Sequence, residues 1–170
     1  MTKAYELDAE SGSFYGTIVR ALALVLATVG GVGYAPLAPG TVGSLVALPL
    51  LPALAGLRSR SLPAYAATLL GLIAAAMWAA GRAEIELESH DDAHIVIDEL
   101  AGMVATGIFL PGTWSAAAVG FLSFRVFDIV KPFPARSIDR RVRGGVGVVG
   151  DDLIAGVYAG LLARLILGLT

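Results

Sequence analysis

Acids set against apolar sequence are the residues best suited to chemistry in this chain. Asp98-Glu99 lies in Ile95-Val96-Ile97-Asp98-Glu99-Leu100-Ala101-Gly102, and Asp128 in Phe124-Arg125-Val126-Phe127-Asp128-Ile129-Val130-Lys131. Asp151-Asp152 precedes Leu153-Ile154-Ala155-Gly156. A buried carboxylate is costly unless a cation or hydrogen bonds compensate it, and acids at membrane depth are functional candidates by default. A hard divalent cation such as Mg²⁺, held by a few carboxylates and a substrate phosphate, accounts for the three patches together. The competing reading is structural, with Asp98 as a helix cap and Asp151-Asp152 as N-cap and first-turn acids of the last helix. Adjacent acids diverge by about 100° on a helix, so one member of each pair is expected to face a site.

Cations accompany these acids. Arg125, Asp128 and Lys131 are spaced i, i+3, i+6 and share one side of a helix, which Pro132 and Pro134 then end. The stripe reads either as a surface salt bridge or as two phosphate-binding cations beside one metal ligand. Arg140, Arg141 and Arg143 lead into Gly144-Gly145-Val146-Gly147, a basic and flexible stretch whose backbone N–H groups can approach an anion. A basic juxtamembrane patch for anionic lipid explains the same residues. His90 and His94, i and i+4 with Asp98 four further on, fit a transition-metal face or a pair of solvated side chains. In Ala38-Pro39-Gly40-Thr41-Val42-Gly43-Ser44, Thr41 or Ser44 is placed to cap a helix or to bind phosphate at its positive end.

The elements that carry these residues are apolar. Of 170 residues, 56% are hydrophobic and 15% charged, against roughly 25% charged in soluble chains. A net charge of -2 gives no basic surface for nucleic acid. The acidic start, with Glu6, Asp8 and Glu10, is unlike a secretory signal, and we expect no export. Residues 1–13 read as a polar tail and 14–170 as a single domain. Leu62 to Gly81 carries no charge and reaches about 30 Å as a helix, a bilayer's hydrocarbon thickness. Phe14 to Val32 is interrupted by Arg20, Val42 to Leu57 by Pro49 and Pro52, and the last segment, from Leu153, by Arg164. Leu100 to Phe124 is uncharged but split by Pro111-Gly112. The fold class expected is all-α, a multihelical integral membrane domain with short and broken helices around an acidic metal site.

Absent residues narrow the chemistry. With no cysteine, thiolate nucleophiles and zinc–thiolate sites are excluded. No Asp-x-Asp pair suits an aspartyl-phosphate, and the two histidines are too close for separate nucleophile and acid roles. What remains is water attack on phosphorus, with Mg²⁺ polarising the phosphoryl group and a carboxylate orienting the water.

The Ala38–Ser44, Ile95–Gly102 and Phe124–Pro134 blocks, with Gly144-Gly145-Val146-Gly147-Val148-Val149-Gly150-Asp151-Asp152-Leu153-Ile154-Ala155-Gly156, together resemble the phosphatidylglycerophosphatase A family. The likeness runs from about Gly33 to Leu165, and His94 departs from the acidic or small residue frequent at its position. The resemblance implies a Mg²⁺-dependent phosphatase that takes the terminal phosphate from phosphatidylglycerophosphate at the cytoplasmic face of a bacterial inner membrane. It maps the family's acids to Asp98, Glu99, Asp128, Asp151 and Asp152, and its basic pair to Arg125 and Lys131. The expected ligands are Asp98, Asp128, Asp151 and Asp152, with Glu99 a ligand or base. Arg125 and Lys131, with Thr41 and Arg143, are expected to bind substrate, and protein partners stay open. An ion-coupled transporter and a non-catalytic lipid-binding relative are the alternatives.

A shared site constrains topology. One straight span from Leu100 to Phe124 would separate Asp98 from Asp128 by roughly 30 Å, so Pro111-Gly112 is expected to turn a hairpin that returns both ends to one side. The arginines after Asp128 place that side in the cytoplasm. Labelling at Arg82 and Arg136 in sealed vesicles should therefore report the same side, and opposite-side labelling would rule out a shared site.

Overall fold

The computed structural model describes residues 2–90 and 92–168, with side chains from Tyr15 onward. The side chains of Glu6, Asp8 and Glu10, in the expected 1–13 tail, lie outside the described residues, as does Asp91. The helices are α1 (Thr2–Ala27), α2 (Pro39–Val46), α3 (Leu50–Arg60), α4 (Leu62–Glu86), α5 (Ile97–Gly107), α6 (Trp114–Val130), α7 (Ala135–Arg141) and α8 (Gly145–Ile166), with a 3-10 turn at Val32–Tyr34. Among the described residues there is no strand, and the domain is all-α as expected.

Local chemistry sets many of the boundaries. Ser61 ends α3 and caps α4, its hydroxyl accepting from the Ala64 N–H at 3.3 Å. Thr113 does the same for α6, accepting from Ala116 N–H at 3.3 Å. Pro49 precedes α3 and Pro52 sits in its first turn, where the missing N–H is tolerated. Those prolines therefore break the segment into α2 and α3 without ending its helical course. Together α2 and α3 (Pro39–Arg60), α4 and α8 are each long and apolar enough to cross a membrane. α4 runs past the uncharged stretch to Glu86, which pairs with Arg82 one turn back and with Arg20 of α1.

α8 is the central helix: 56% of its apolar window is buried, against 17% for α4 and 22% for α2 with α3. Between membrane helices little hydrophobic force is available, so close packing of small residues must hold them. A Cβ on Gly156 would lie 2.2 Å from the Gly102 carbonyl oxygen of α5, and one on Gly160 2.8 Å from that of Thr106. Ala155, Ala159 and Ala163 continue this buried face. Outward, Leu22, Leu70, Leu122 and Leu161 are exposed on α1, α4, α6 and α8, as a lipid-facing surface requires.

Two expectations change. α8 starts at Gly145, well before Leu153, so Gly145 and Gly147 are its buried first turn and not a flexible anion loop. A Cβ on Gly145 would meet the Met77 carbonyl oxygen at 1.7 Å, so glycine lets α8 dock on α4. Asp151 and Asp152 consequently lie inside the helix, and Gly144 is the N-cap. Asp98 is likewise a first-turn acid of α5, whose N-cap is Val96.

The Pro111-Gly112 hairpin forms. Arg58 donates to the carbonyls of Ile108 at 2.6 Å and Leu110 at 2.9 Å, satisfying the end of α5 and fixing the turn. The start of α5 and the end of α6 then line one cavity. Gly156→Ala should destabilise the protein by about 1–3 kcal/mol through overpacking, read as a lower Tm in detergent. Gly71→Ala, where nothing lies within 4 Å of the added carbon, should leave Tm nearly unchanged.

Candidate active site

A cavity of about 280 Å³ opens where α2, α5, α6 and α8 converge. Asp98 and Glu99 enter it from the first turn of α5, Arg125 and Asp128 from the last turns of α6, and Asp152 from α8. Lys131, the C-cap of α6, completes the charged lining. Each location follows from sequence already described: the hairpin returns α6 to α5, and the glycine face of α8 brings Asp152 against both.

Asp98, Glu99 and Asp152 each offer a carboxylate oxygen, all within 4.8 Å of one another. Two like charges at that range repel by on the order of 3 kcal/mol at an effective dielectric of 20. Asp98 and Asp152 are buried, and Glu99 Oε2 and Asp152 Oδ2 have no hydrogen-bond partner. An oxygen-only donor set with unsatisfied buried lone pairs fits a hard divalent cation.

The remaining acids pair with cations. Arg125 Nη1 lies 2.5 Å from Asp128 Oδ2 and donates to Ser44 Oγ at 3.3 Å. Ser44 in turn donates to the Gly40 carbonyl at 2.8 Å, so α2 steadies the guanidinium. Arg125 Nε is buried with no partner. Lys131 Nζ bonds Asp151 Oδ2 at 2.5 Å and Asp139 Oδ1 at 2.9 Å. Burial opposes its charge, but those two acids outweigh burial and hold the ammonium above its ordinary range. Lys131 also has φ +44°, a left-handed backbone rare outside glycine, and Ala38, which lines the same cavity, has φ +47°. Strained backbone at two residues lining one cavity is a feature of functional sites.

The structure thus brings Asp98, Glu99, Arg125, Asp128, Lys131 and Asp152 to one cavity. Of the expected ligands, Asp98 and Asp152 fall in the three-acid cluster, where Glu99 joins them, while Asp128 and Asp151 face cations. The divergence of adjacent acids holds for Asp151 and Asp152. It does not separate Asp98 from Glu99, because the cluster sits over the first turn of α5 and the longer Glu99 side chain reaches it. Thr41 and Arg143 do not line this cavity. α2 starts after Ala38 with no side-chain cap, so neither Thr41 nor Ser44 caps it. Exposed Arg143 borders a separate hollow beside Glu84, Glu88 and His90.

The two histidines do not share a helix face, since residues 87–90 and 92–96 are turns, a bend and irregular chain. His90 Nδ1 bonds Glu84, whereas His94 Nδ1 lies 2.6 Å from Asp92 and its ring packs tilted against that of Tyr34, centroids 4.7 Å apart. The backbone N–H of His94, its ring and its charge hold the Asp92 carboxyl below its usual range. Asp139 and Gly40 are site residues that sequence reading missed. For Gly40 the signal was its place before Thr41 in a Pro-Gly block. A Cβ there would lie 1.9 Å from Glu99 Oε1 and 3.5 Å from Arg125 Nη1.

The family model for phosphatidylglycerophosphatase A matches residues 25–167. Phosphatidylglycerophosphatase A of Escherichia coli (strain K12) is 37% identical over 140 residues, covering 81% of this chain and 80% of the relative. A Bacteroides thetaiotaomicron protein, provisionally named a phosphatidylinositol-3-phosphatase, is 36% identical over 156 residues, covering 86% of this chain and 96% of its own. Phosphatidylglycerophosphatase A of Haemophilus influenzae is 39% identical over 71 residues, 41% of this chain and 44% of that one. No solved structure matches.

Gly40→Ala pushes only the mobile end of Glu99, so folding should survive while the carboxylate is displaced. Turnover should fall about 100-fold, the cost of an ångström-scale misplacement, with Tm nearly unchanged. Normal turnover in this variant would show that the Glu99 position is not critical.

Proposed function

The chain belongs to the phosphatidylglycerophosphatase A family, whose members are lipid phosphatases, and we propose that it hydrolyses the terminal monoester of phosphatidylglycerophosphate. The products are phosphatidylglycerol and inorganic phosphate. The observation that carries this reading is the three-carboxylate cluster beside Arg125 in one cavity. A transporter would spread its acids through the membrane depth, whereas these gather with cations in one place.

Asp98, Glu99 and Asp152 would hold Mg²⁺, which when bound supplies neutralising charge and polarises the phosphoryl group. Arg125 takes the phosphate: Asp128 and Ser44 engage Nη1, and its other donors, buried Nε included, remain for phosphate oxygens. Asp128 lines the cavity outside the three-acid cluster and orients the attacking water. Water adds to phosphorus, the bond to the glycerol oxygen breaks, and that oxygen leaves with a proton. Lys131, locked between Asp139 and Asp151, ties α6 to α7 and α8 and keeps the cavity in shape. This reading places the cavity at the cytoplasmic face of a bacterial inner membrane, supported by Arg136, Arg140, Arg141 and Arg143 close after the cavity's Lys131.

The test is phosphate release from phosphatidylglycerophosphate by purified protein, with and without Mg²⁺. Chelation, Asp98→Asn and Asp152→Asn should each lower turnover about 100-fold or more, as several kcal/mol of lost transition-state stabilisation requires. Activity that survives chelation and both substitutions would refute the metal mechanism. Faster release from phosphatidylinositol 3-phosphate would reassign the substrate.

A further inference from the structure

A second cavity, of about 490 Å³, shares Lys131 with the first. Its other cations are Arg136, Arg140 and Arg141, and no carboxylate lines it. None of these three arginines forms an ion pair among the described residues, unlike Arg125 and Lys131 in the acidic cavity. Apart from the last turn of α7, which holds Arg140 and Arg141, nothing among the described residues engages their charge. Apolar side chains line the same cavity: Phe133 is 80% exposed and Val130 64%. The backbone here is held in place, since Tyr158 of α8 donates to the Phe133 carbonyl at 3.1 Å. Cations beside exposed apolar side chains suit a phosphate that carries acyl chains.

We propose that this basic cavity is a phosphodiester subsite, holding the second phosphate of the lipid whose monoester enters the acidic cavity. This rests on the lipid-phosphatase reading above. The two phosphates of such a lipid are joined by one three-carbon glycerol bridge, so they must occupy neighbouring sites. One wall residue, Lys131, borders both cavities. The charges divide accordingly. The acidic cavity suits a phosphate accompanied by a cation, and the basic cavity suits a phosphate that arrives alone. A lipid with a monoester but no diester would leave the basic cavity empty, so the subsite selects for the diester.

The test uses the full chain in detergent micelles and the variant Arg136→Gln/Arg140→Gln/Arg141→Gln. All three side chains are exposed, so the packing is untouched. Short-chain phosphatidylglycerol, which carries the diester alone, is the binding probe in calorimetric titration. Its Kd should rise about tenfold in the variant, the loss of roughly one charge-assisted contact, and stay unchanged in Asp98→Asn. An unchanged Kd in the triple variant would overturn the proposal. In hydrolysis, KM for phosphatidylglycerophosphate should rise about tenfold, with kcat falling far less. KM for diacylglycerol phosphate, a monoester without the diester, should stay near its starting value. Equal rises for both lipids would mean general attraction to an anionic interface and would also overturn the subsite. If the native chain hydrolyses neither lipid, the phosphatase reading fails, and phosphatidylglycerol binding still decides the subsite.

Discussion

Carboxylates packed among apolar helices must be neutralised from nearby, because neither water nor lipid can do it. Two pairs meet that demand within the chain, Arg125 with Asp128 and Lys131 with Asp151. Both cations come from the end of α6, so the hairpin between α5 and α6 is a requirement of the electrostatics as much as of the packing. Had the apolar stretch after Asp98 run straight across, its cations would have ended on the wrong side of the membrane.

Bringing three helices within carboxylate reach of one another needs close backbones, and the sequence supplies them with small residues. Gly156 and Gly160 let α8 press on the carbonyls of α5, and Gly145 presses on α4. Asp152 follows one turn before Gly156 on that helix, so the contact that packs the bundle also delivers the acid. Gly40 extends the same device to α2, where a missing side chain becomes room for the Glu99 carboxylate. Packing and site are one arrangement here, and a change in either is felt in both.

Much of this was legible in the residues. Acids in apolar sequence stand out because their burial demands a reason, and the i, i+3 spacing of Arg125 and Asp128 already offered their ion pair. Pro111-Gly112 announced the hairpin. The start of α8 was hidden, because Gly144-Gly145-Val146-Gly147 has loop propensity that only contact with α4 overrules. The side chains of Thr41 and Ser44 suggested capping, yet α2 begins on the backbone of Ala38, and Ser44 instead steadies Arg125. Which of Asp151 and Asp152 faces the acid cluster also stayed hidden. A 100° step separates Asp151 from Asp152, but only the position of Lys131 decides which one it takes.

That last choice settles more than geometry. With Asp128 given to Arg125 and Asp151 to Lys131, the acids whose oxygens converge are Asp98, Glu99 and Asp152, and of these Glu99 Oε2 and Asp152 Oδ2 have no hydrogen-bond partner. The two pairs are not equivalent. Lys131 is held by two carboxylates and has little left to give, whereas Arg125 is held at one nitrogen and keeps its remaining donors. Converging carboxylate oxygens and uncommitted guanidinium donors therefore stand together in one cavity. On the proposed reading a phosphate with its own divalent cation would complete both, and either one alone would leave the other side of the cavity short of a partner.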